Sequence, residues 1–120
     1  TEAGRQTKGG RVKLWLDDLR DPAVHGHIGW TWAKTAEEAI ALLKTGKVTE
    51  ASLDHDLSIE ATIGAADWAR EVTGYDVVCW MEENDVWPRD GTRVHSMNPE
   101  GRRRMEFAIE SAMRRKARAS

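Results

Sequence analysis

Ala51-Ser52-Leu53-Asp54-His55-Asp56-Leu57 runs from an apolar lead-in straight into acid, imidazole and acid, then returns to leucine. Ionisable groups set this close to a core need partners, because desolvating an unpaired charge is costly. One reading is a strand that ends on chemistry. The other is a solvated turn in which Asp54 or Asp56 caps the segment that follows. The same pattern recurs twice. Val12-Lys13-Leu14-Trp15-Leu16 reads as a short, largely buried strand and stops at Asp17-Asp18-Leu19-Arg20-Asp21-Pro22. Thr92-Arg93-Val94-His95-Ser96 reads as a fourth short strand and runs into Met97-Asn98.

Between these stretches the signals alternate. Trp30-Thr31-Trp32 fits a short strand with both indoles on one face, placed either to stack a base or to pack against a helix. Thr35-Ala36-Glu37-Glu38 is a capping box, and Ala36, Ala39, Ile40 and Leu43 follow helical spacing up to a stop at Gly46. The next strand is expected from about Glu50 to Asp56. Residues 64–72 fit a helix, although the chain before them has no clear period. A further helix is expected from Asp76 to Asn84, capped by Thr73 or Asp76, with Val77, Val78 and Met81 inward. Trp87-Pro88-Arg89-Asp90-Gly91 is a turn. Asn98 as N-cap and Pro99 at the first helical position open the last helix, whose inward stripe is Met105, Ala108, Ile109, Ala112 and Met113.

Composition narrows the function classes. The chain has 120 residues and a net charge of -2, enough for one modest core and without the polyelectrolyte character of a general nucleic-acid binder. Six tryptophans accompany one Phe and one Tyr. The single cysteine, Cys79, excludes an intramolecular disulfide, suits a reducing compartment and reads as a small hydrophobe. No apolar run is long enough to span a membrane, so a cytoplasmic location is expected. Thr1 to Gly10 is polar and Gly-rich and is expected to be a disordered tail, leaving residues 11–120 as one domain. His25 and His27 read as exposed loop residues.

Strands alternating with helices imply an α/β domain built on an open, mostly parallel sheet. Ligands of such sheets bind at the carboxyl ends of the strands. Here those ends carry Asp17-Asp18, Asp54-His55-Asp56 and His95-Ser96-Met97-Asn98. Carboxylates suit a hard divalent cation such as Mg²⁺ or Mn²⁺, and Zn²⁺ becomes an option if histidine joins the site. His55 and His95 suit acid–base roles, in an order the sequence leaves open. Arg20, Ser96, Asn98 and the helix start at Gly101 and Arg102 suit phosphate oxygens. Strand alternation adds a caution. Asp54 and Asp56 share a face while His55 points away, unless the strand has already ended. If it has not ended, His55 is structural and Asp56 joins the metal site.

An acidic pair after strand one, an aspartate after strand three and a hydroxyl after strand four resemble the receiver domains of two-component signalling. Asp17 and Asp18 match that family's metal-binding pair, Asp54 its phosphoacceptor and Ser96 its phosphate-contacting hydroxyl. The chain departs from the pattern in two ways. It stops after the helix that follows strand four, with no counterpart of the fifth strand and its lysine, and it sets His55 and His95 beside family positions. Four stretches together are similar to the cyclic-phosphate-processing receiver-like domains, over about residues 12 to 113. They are Leu16-Asp17-Asp18-Leu19-Arg20, Leu53 to Leu57, Gly74-Tyr75-Asp76-Val77-Val78 and His95 to Met105. The resemblance implies a compact flavodoxin-like sandwich with a four-stranded sheet in the order 2-1-3-4. It also implies metal-dependent hydrolysis of a phosphodiester, above all a cyclic phosphate on a nucleotide or RNA end, in a bacterial or phage host cytosol. Two other functions remain open at this stage: a receiver phosphorylated on Asp54, and a non-catalytic nucleotide- or RNA-binding module.

Overall fold

The structure, a computed structural model, describes residues 11–57 and 72–119. The expected tail at 1–10 and most of the expected helix over 64–72 lie outside the described residues. Four strands form one parallel sheet: β1 (Val12–Leu16), β2 (Thr31–Ala33), β3 (Val48–Leu53) and β4 (Thr92–Val94), in the order β2-β1-β3-β4. Among the described residues three helices accompany them: α1 (Ala36–Lys44), α2 (Gly74–Asn84) and α3 (Pro99–Ala119). This is the expected receiver-like order, with β1 and β3 side by side in the middle.

Alternation along the strands divides the sheet into two unlike faces. Leu14, Leu16, Ala51, Leu53 and Val94 point to the helix layer and are buried with Leu43, Val77, Val78, Met81, Met105 and Ile109 in one cluster. Each fully buried aliphatic side chain contributes roughly 1.5–3 kcal/mol. The other face carries a row set by the strand register: Trp32 beside Trp15, Trp15 beside Ser52, Ser52 beside Arg93. The β1–β2 connection is made of turns without a helix, and its His27 and Trp30 rings lie against Trp15 at 4.7 and 6.1 Å. Two expectations are corrected here. Trp30 precedes β2 and packs on β1 instead of on a helix, and His27 is a half-buried stacking residue, unlike exposed His25.

Helix ends follow their local chemistry. Thr35 caps α1 by accepting from the Glu38 amide, and Glu38 reaches back to the Lys34 amide, one residue before the cap. Gly46 ends that helix at φ +76°, a conformation glycine adopts without a side-chain clash. Thr73 and Asp76 form a complete capping box, so α2 begins at Gly74, two residues earlier than the periodicity predicts. Strands β3 and β4 stop at Leu53 and Val94, short of the expected Asp56 and Ser96. Met113, expected inside the α3 stripe, is 37% exposed.

One close approach ties the helix layer to the sheet's carboxyl edge. The Gly74 amide donates to the His55 carbonyl at 2.9 Å, and a Cβ at residue 74 would overlap the Asp54 carbonyl. Because that obstacle is backbone, it has no rotamer to escape into. Gly74→Ala is expected to cost about 3 kcal/mol or more, read as a lower urea midpoint at unchanged slope. A midpoint within experimental scatter of wild type would show that this approach is not tight.

Candidate metal and phosphate site

The backbone ladder continues one rung past the strands. The Asp17 amide donates to the Ala33 carbonyl, the Asp54 amide to Leu16 and the His95 amide to Leu53, each at 3.0 Å. These rungs fix Asp17, Asp54 and His95 side by side. Asp17, Asp18 and Asp54 each offer a carboxylate oxygen, and the three oxygens lie within 4.8 Å of one another. Oxygens bound to one Mg²⁺ at ~2.1 Å lie roughly 3–4 Å apart, so the trio is close to that spacing. Its all-oxygen chemistry fits Mg²⁺ or Mn²⁺.

Asp17 is 1% exposed and is held on every side. Its Oδ1 accepts from the Leu19 and Arg20 amides at 2.9 and 2.8 Å. Its Oδ2 accepts from His95 Nε2 at 3.1 Å and lies 3.5 Å from the Arg20 guanidinium. Two indoles fasten the loop that carries it: Trp32 Nε1 donates to the Asp17 carbonyl at 2.7 Å and Trp15 Nε1 to the Arg20 carbonyl at 3.0 Å. Asp54 is 7% exposed. Burial, reinforced by the charge of Asp17, pushes its pKa up to about 6.

The histidines are placed differently from the acid–base pair the sequence suggests. The His95 ring stacks flat on Trp15 at 4.0 Å, with Nδ1 against Ser52 Oγ at 2.8 Å and Nε2 on Asp17. Burial holds its pKa below the ordinary imidazole value and outweighs the opposing pull of Asp17, the reverse of what the neighbouring carboxylates alone suggest. His55 turns away from the trio. Its Nδ1 meets Asp56 Oδ1 at 2.7 Å, and its ring occupies space that a side chain on Gly101 would fill. Gly101 therefore makes room for an imidazole. Among the described residues no imidazole joins the three carboxylates in a group that could hold Zn²⁺.

Asp56 lines the acidic pocket but stands outside the trio. Its Oδ1 also accepts from Asn98 Nδ2 at 3.2 Å, and the His55 hydrogen bond holds its pKa below the usual carboxylate range. Ser96 is buried and accepts from the Asn98 amide at 3.0 Å. Asn98 Oδ1 takes the Glu100 and Gly101 amides at 3.1 Å, so these amides at the α3 start serve its own cap. Arg102 pairs with Glu106 at 3.1 Å.

Two pockets meet here. One of roughly 270 Å³ is lined by Asp17, Asp18, Arg20, Asp54, Asp56 and Met97, among others. A second of roughly 430 Å³ is lined by Ser96, Met97, Pro99, Arg102, Arg103 and Glu106. Met97, 78% exposed, is their shared wall. Ser52, Trp15 and Trp32 are the site residues that sequence reasoning missed. A serine between Ala51 and Leu53 in a buried strand is the signal that could have found Ser52.

The burial of Asp54 has a measurable sign. Its folded pKa of about 6 exceeds the ordinary 3.8, so the metal-free fold favours the protonated acid. Below about pH 4 the group is protonated folded and unfolded alike, and stability is lost as pH rises from about 4 to 6. A difference of that size corresponds to roughly 2–3 kcal/mol. Metal-free Asp54→Asn should melt higher than wild type at pH 7.5 and match it near pH 4. Wild type should gain stability from Mg²⁺ or Mn²⁺, a gain that fades below pH 6 as protons compete for the carboxylate. Melting curves across pH 4–8, with and without the ion, check both signs.

The family model of the cyclic-phosphate processing receiver domain matches residues 12–111, from the first strand into the last helix. No curated protein and no solved structure matches the sequence. Among the described residues no helix is long and apolar enough to cross a membrane. A parallel 2-1-3-4 sheet with three aspartates gathered at its carboxyl edge, matched by that model over all four strands, places the chain in the cyclic-phosphate processing receiver domain family.

Proposed function

We propose that the protein is a metal-dependent phosphoesterase that hydrolyses a phosphodiester, with a cyclic phosphate on a nucleotide or RNA end as its substrate. One observation carries the reading: an aspartate trio, with Asp17 and Asp54 buried and Asp18 half-buried, opens into a pocket that shares the Met97 wall with an arginine-lined pocket. Asp17, Asp18 and Asp54 would hold a divalent cation, which when bound would supply positive charge to a phosphoryl oxygen. Arg20 is tied only loosely to Asp17 and its side chain is 40% exposed, so it can turn to a second phosphoryl oxygen. Arg102 and Arg103 line the place where the rest of a nucleotide would lie.

Asp56 is the carboxylate best placed to orient water. His55 and Asn98 hold its Oδ1, and its other oxygen is an acceptor for water in the pocket. Attack by that water forms a new P–O bond and breaks one ring ester bond, while Asp56 takes the proton that the water loses. That proton then passes to the leaving alkoxide, and the product is a monoester. His55 acts by positioning Asp56, and His95 by positioning Asp17.

A screen of cyclic, linear diester, monoester and triester phosphates against several metals tests the reading. Cyclic phosphates are expected to open to monoesters with Mg²⁺ or Mn²⁺. Asp18→Asn and Asp54→Asn should lose about 100-fold or more in rate, and Asp56→Asn should lose kcat more than KM. Metal binding with no turnover of any phosphoester would instead leave a nucleotide-binding module. A phosphoryl adduct on Asp54 after incubation with a small phosphodonor would favour a signalling receiver.

A further inference from the structure

Ser52 is the penultimate residue of β3 and is 3% exposed. Its strand neighbours Ala51 and Leu53 face the other way into the helix-side core, and a buried hydroxyl there needs a partner. It finds one on the adjacent strand's exit, where Ser52 Oγ meets His95 Nδ1 at 2.8 Å. The opposite ring nitrogen meets Asp17 Oδ2 at 3.1 Å. Trp15, the register neighbour of Ser52 on β1, covers the flat face of the imidazole at 4.0 Å and 6°. The ring is therefore held in plane, with each nitrogen aimed at a different strand.

We propose that Ser52 is a positioning residue: its hydroxyl donates to His95 Nδ1, fixes the imidazole as the Nε2–H tautomer, and so aims the Asp17 carboxylate at the cation it would share with Asp18 and Asp54. The inference rests on the metal-site reading given above. The donor assignment follows from what each group can do. An ionised carboxylate only accepts, so the hydrogen between His95 and Asp17 sits on Nε2. A neutral imidazole then offers a bare lone pair at Nδ1, and a hydroxyl is the group that can donate to it. Without that donor, Nδ1 is left buried and unpaired. The alternative is for the proton to move to Nδ1, which sets the Nε2 lone pair against the carboxylate. Outer partners of this kind commonly change metal affinity by about 10–100-fold. Ser52 lines neither pocket at the site, so it acts through His95 and not on substrate.

The test compares Ser52→Thr with Ser52→Val, two side chains of the same shape that differ in the hydroxyl. Nitrogen-15 NMR of the metal-free protein reads the His95 tautomer, and calorimetry with Mn²⁺ reads affinity. Wild type and Ser52→Thr should both show hydrogen on Nε2 and a bare Nδ1, with affinities within about threefold. Ser52→Val should lose that single tautomer and bind Mn²⁺ about 10–100-fold more weakly. If the added methyl prevents folding, Ser52→Ala carries the same two readouts and the same expected losses. A wild-type ring with hydrogen on Nδ1, or on both nitrogens, overturns the proposal. So does a hydroxyl-free variant with wild-type tautomer and affinity. Failure of the two readings looks different: wild type that binds no Mn²⁺ sinks the metal site and this inference with it, whereas a wrong tautomer beside intact Mn²⁺ binding sinks this inference alone.

Discussion

A carboxylate buried to 1% exposure at the end of the central strand is the constraint around which the rest is arranged. Left without donors, such a charge would cost several kcal/mol or take up a proton. Asp17 instead has two amides from its own loop, an imidazole from beyond β4 and a nearby guanidinium. The two amides and the imidazole are each fixed by something else. The loop amides are held because Trp15 and Trp32 grip carbonyls at Arg20 and Asp17. The imidazole is held because Trp15 covers its face and Ser52 meets its far nitrogen. The tryptophan-rich composition thus has a specific use on the face opposite the helices, where indole N–H groups and ring planes set the geometry of a charged loop.

The helix layer constrains the same edge from the other side. Gly74 lets α2 start against the Asp54 carbonyl, and Gly101 lets α3 start against the His55 ring. Both are contacts that a side chain would abolish. Between them they fix the Asp54–Asp56 stretch, with Asp54 turned toward Asp17 and His55 turned toward α3. The alternation that troubles a sequence reading of this triplet is resolved by packing: strand β3 has ended, yet His55 still points away from the acidic pocket because α3 offers it a glycine-sized recess.

Elements written in local chemistry were legible in the sequence. The apolar runs that end in acids mark two strand ends, Thr73 with Asp76 and Asn98 with Pro99 mark two helix starts, and the strand order follows the family pattern. The gathering of Asp17, Asp18 and Asp54 was legible because each directly follows, or nearly follows, a strand whose neighbours the topology sets. What escaped depends on long-range ring geometry. Nothing local says which nitrogen of His95 faces Asp17, or that burial outweighs that carboxylate in setting its pKa. The path of the β1–β2 turns decides whether His27 hangs in solvent or lies on Trp15. Ser96 and the α3 amides read as phosphate ligands until the structure shows Asn98 already using them.

Charge then constrains the order of events on the proposed reading. Asp17, Asp18, Asp54 and Asp56 all line one pocket, and the cation on its wall is Arg20. A phosphate anion meeting four carboxylates and one guanidinium is repelled, and the low dielectric around buried Asp17 and Asp54 makes that repulsion stronger than it would be in water. The raised pKa of Asp54 comes first from burial and then from the same repulsion within the protein, since the charge of Asp17 adds to it. On this reading a divalent cation held by the trio would offset two of these negative charges, easing both the strain on Asp54 and the repulsion that the phosphate meets. Metal binding would then favour phosphate binding, and the arginines beyond Met97, which belong to the neighbouring pocket, would attract the substrate without collapsing onto the acids that hold the ion.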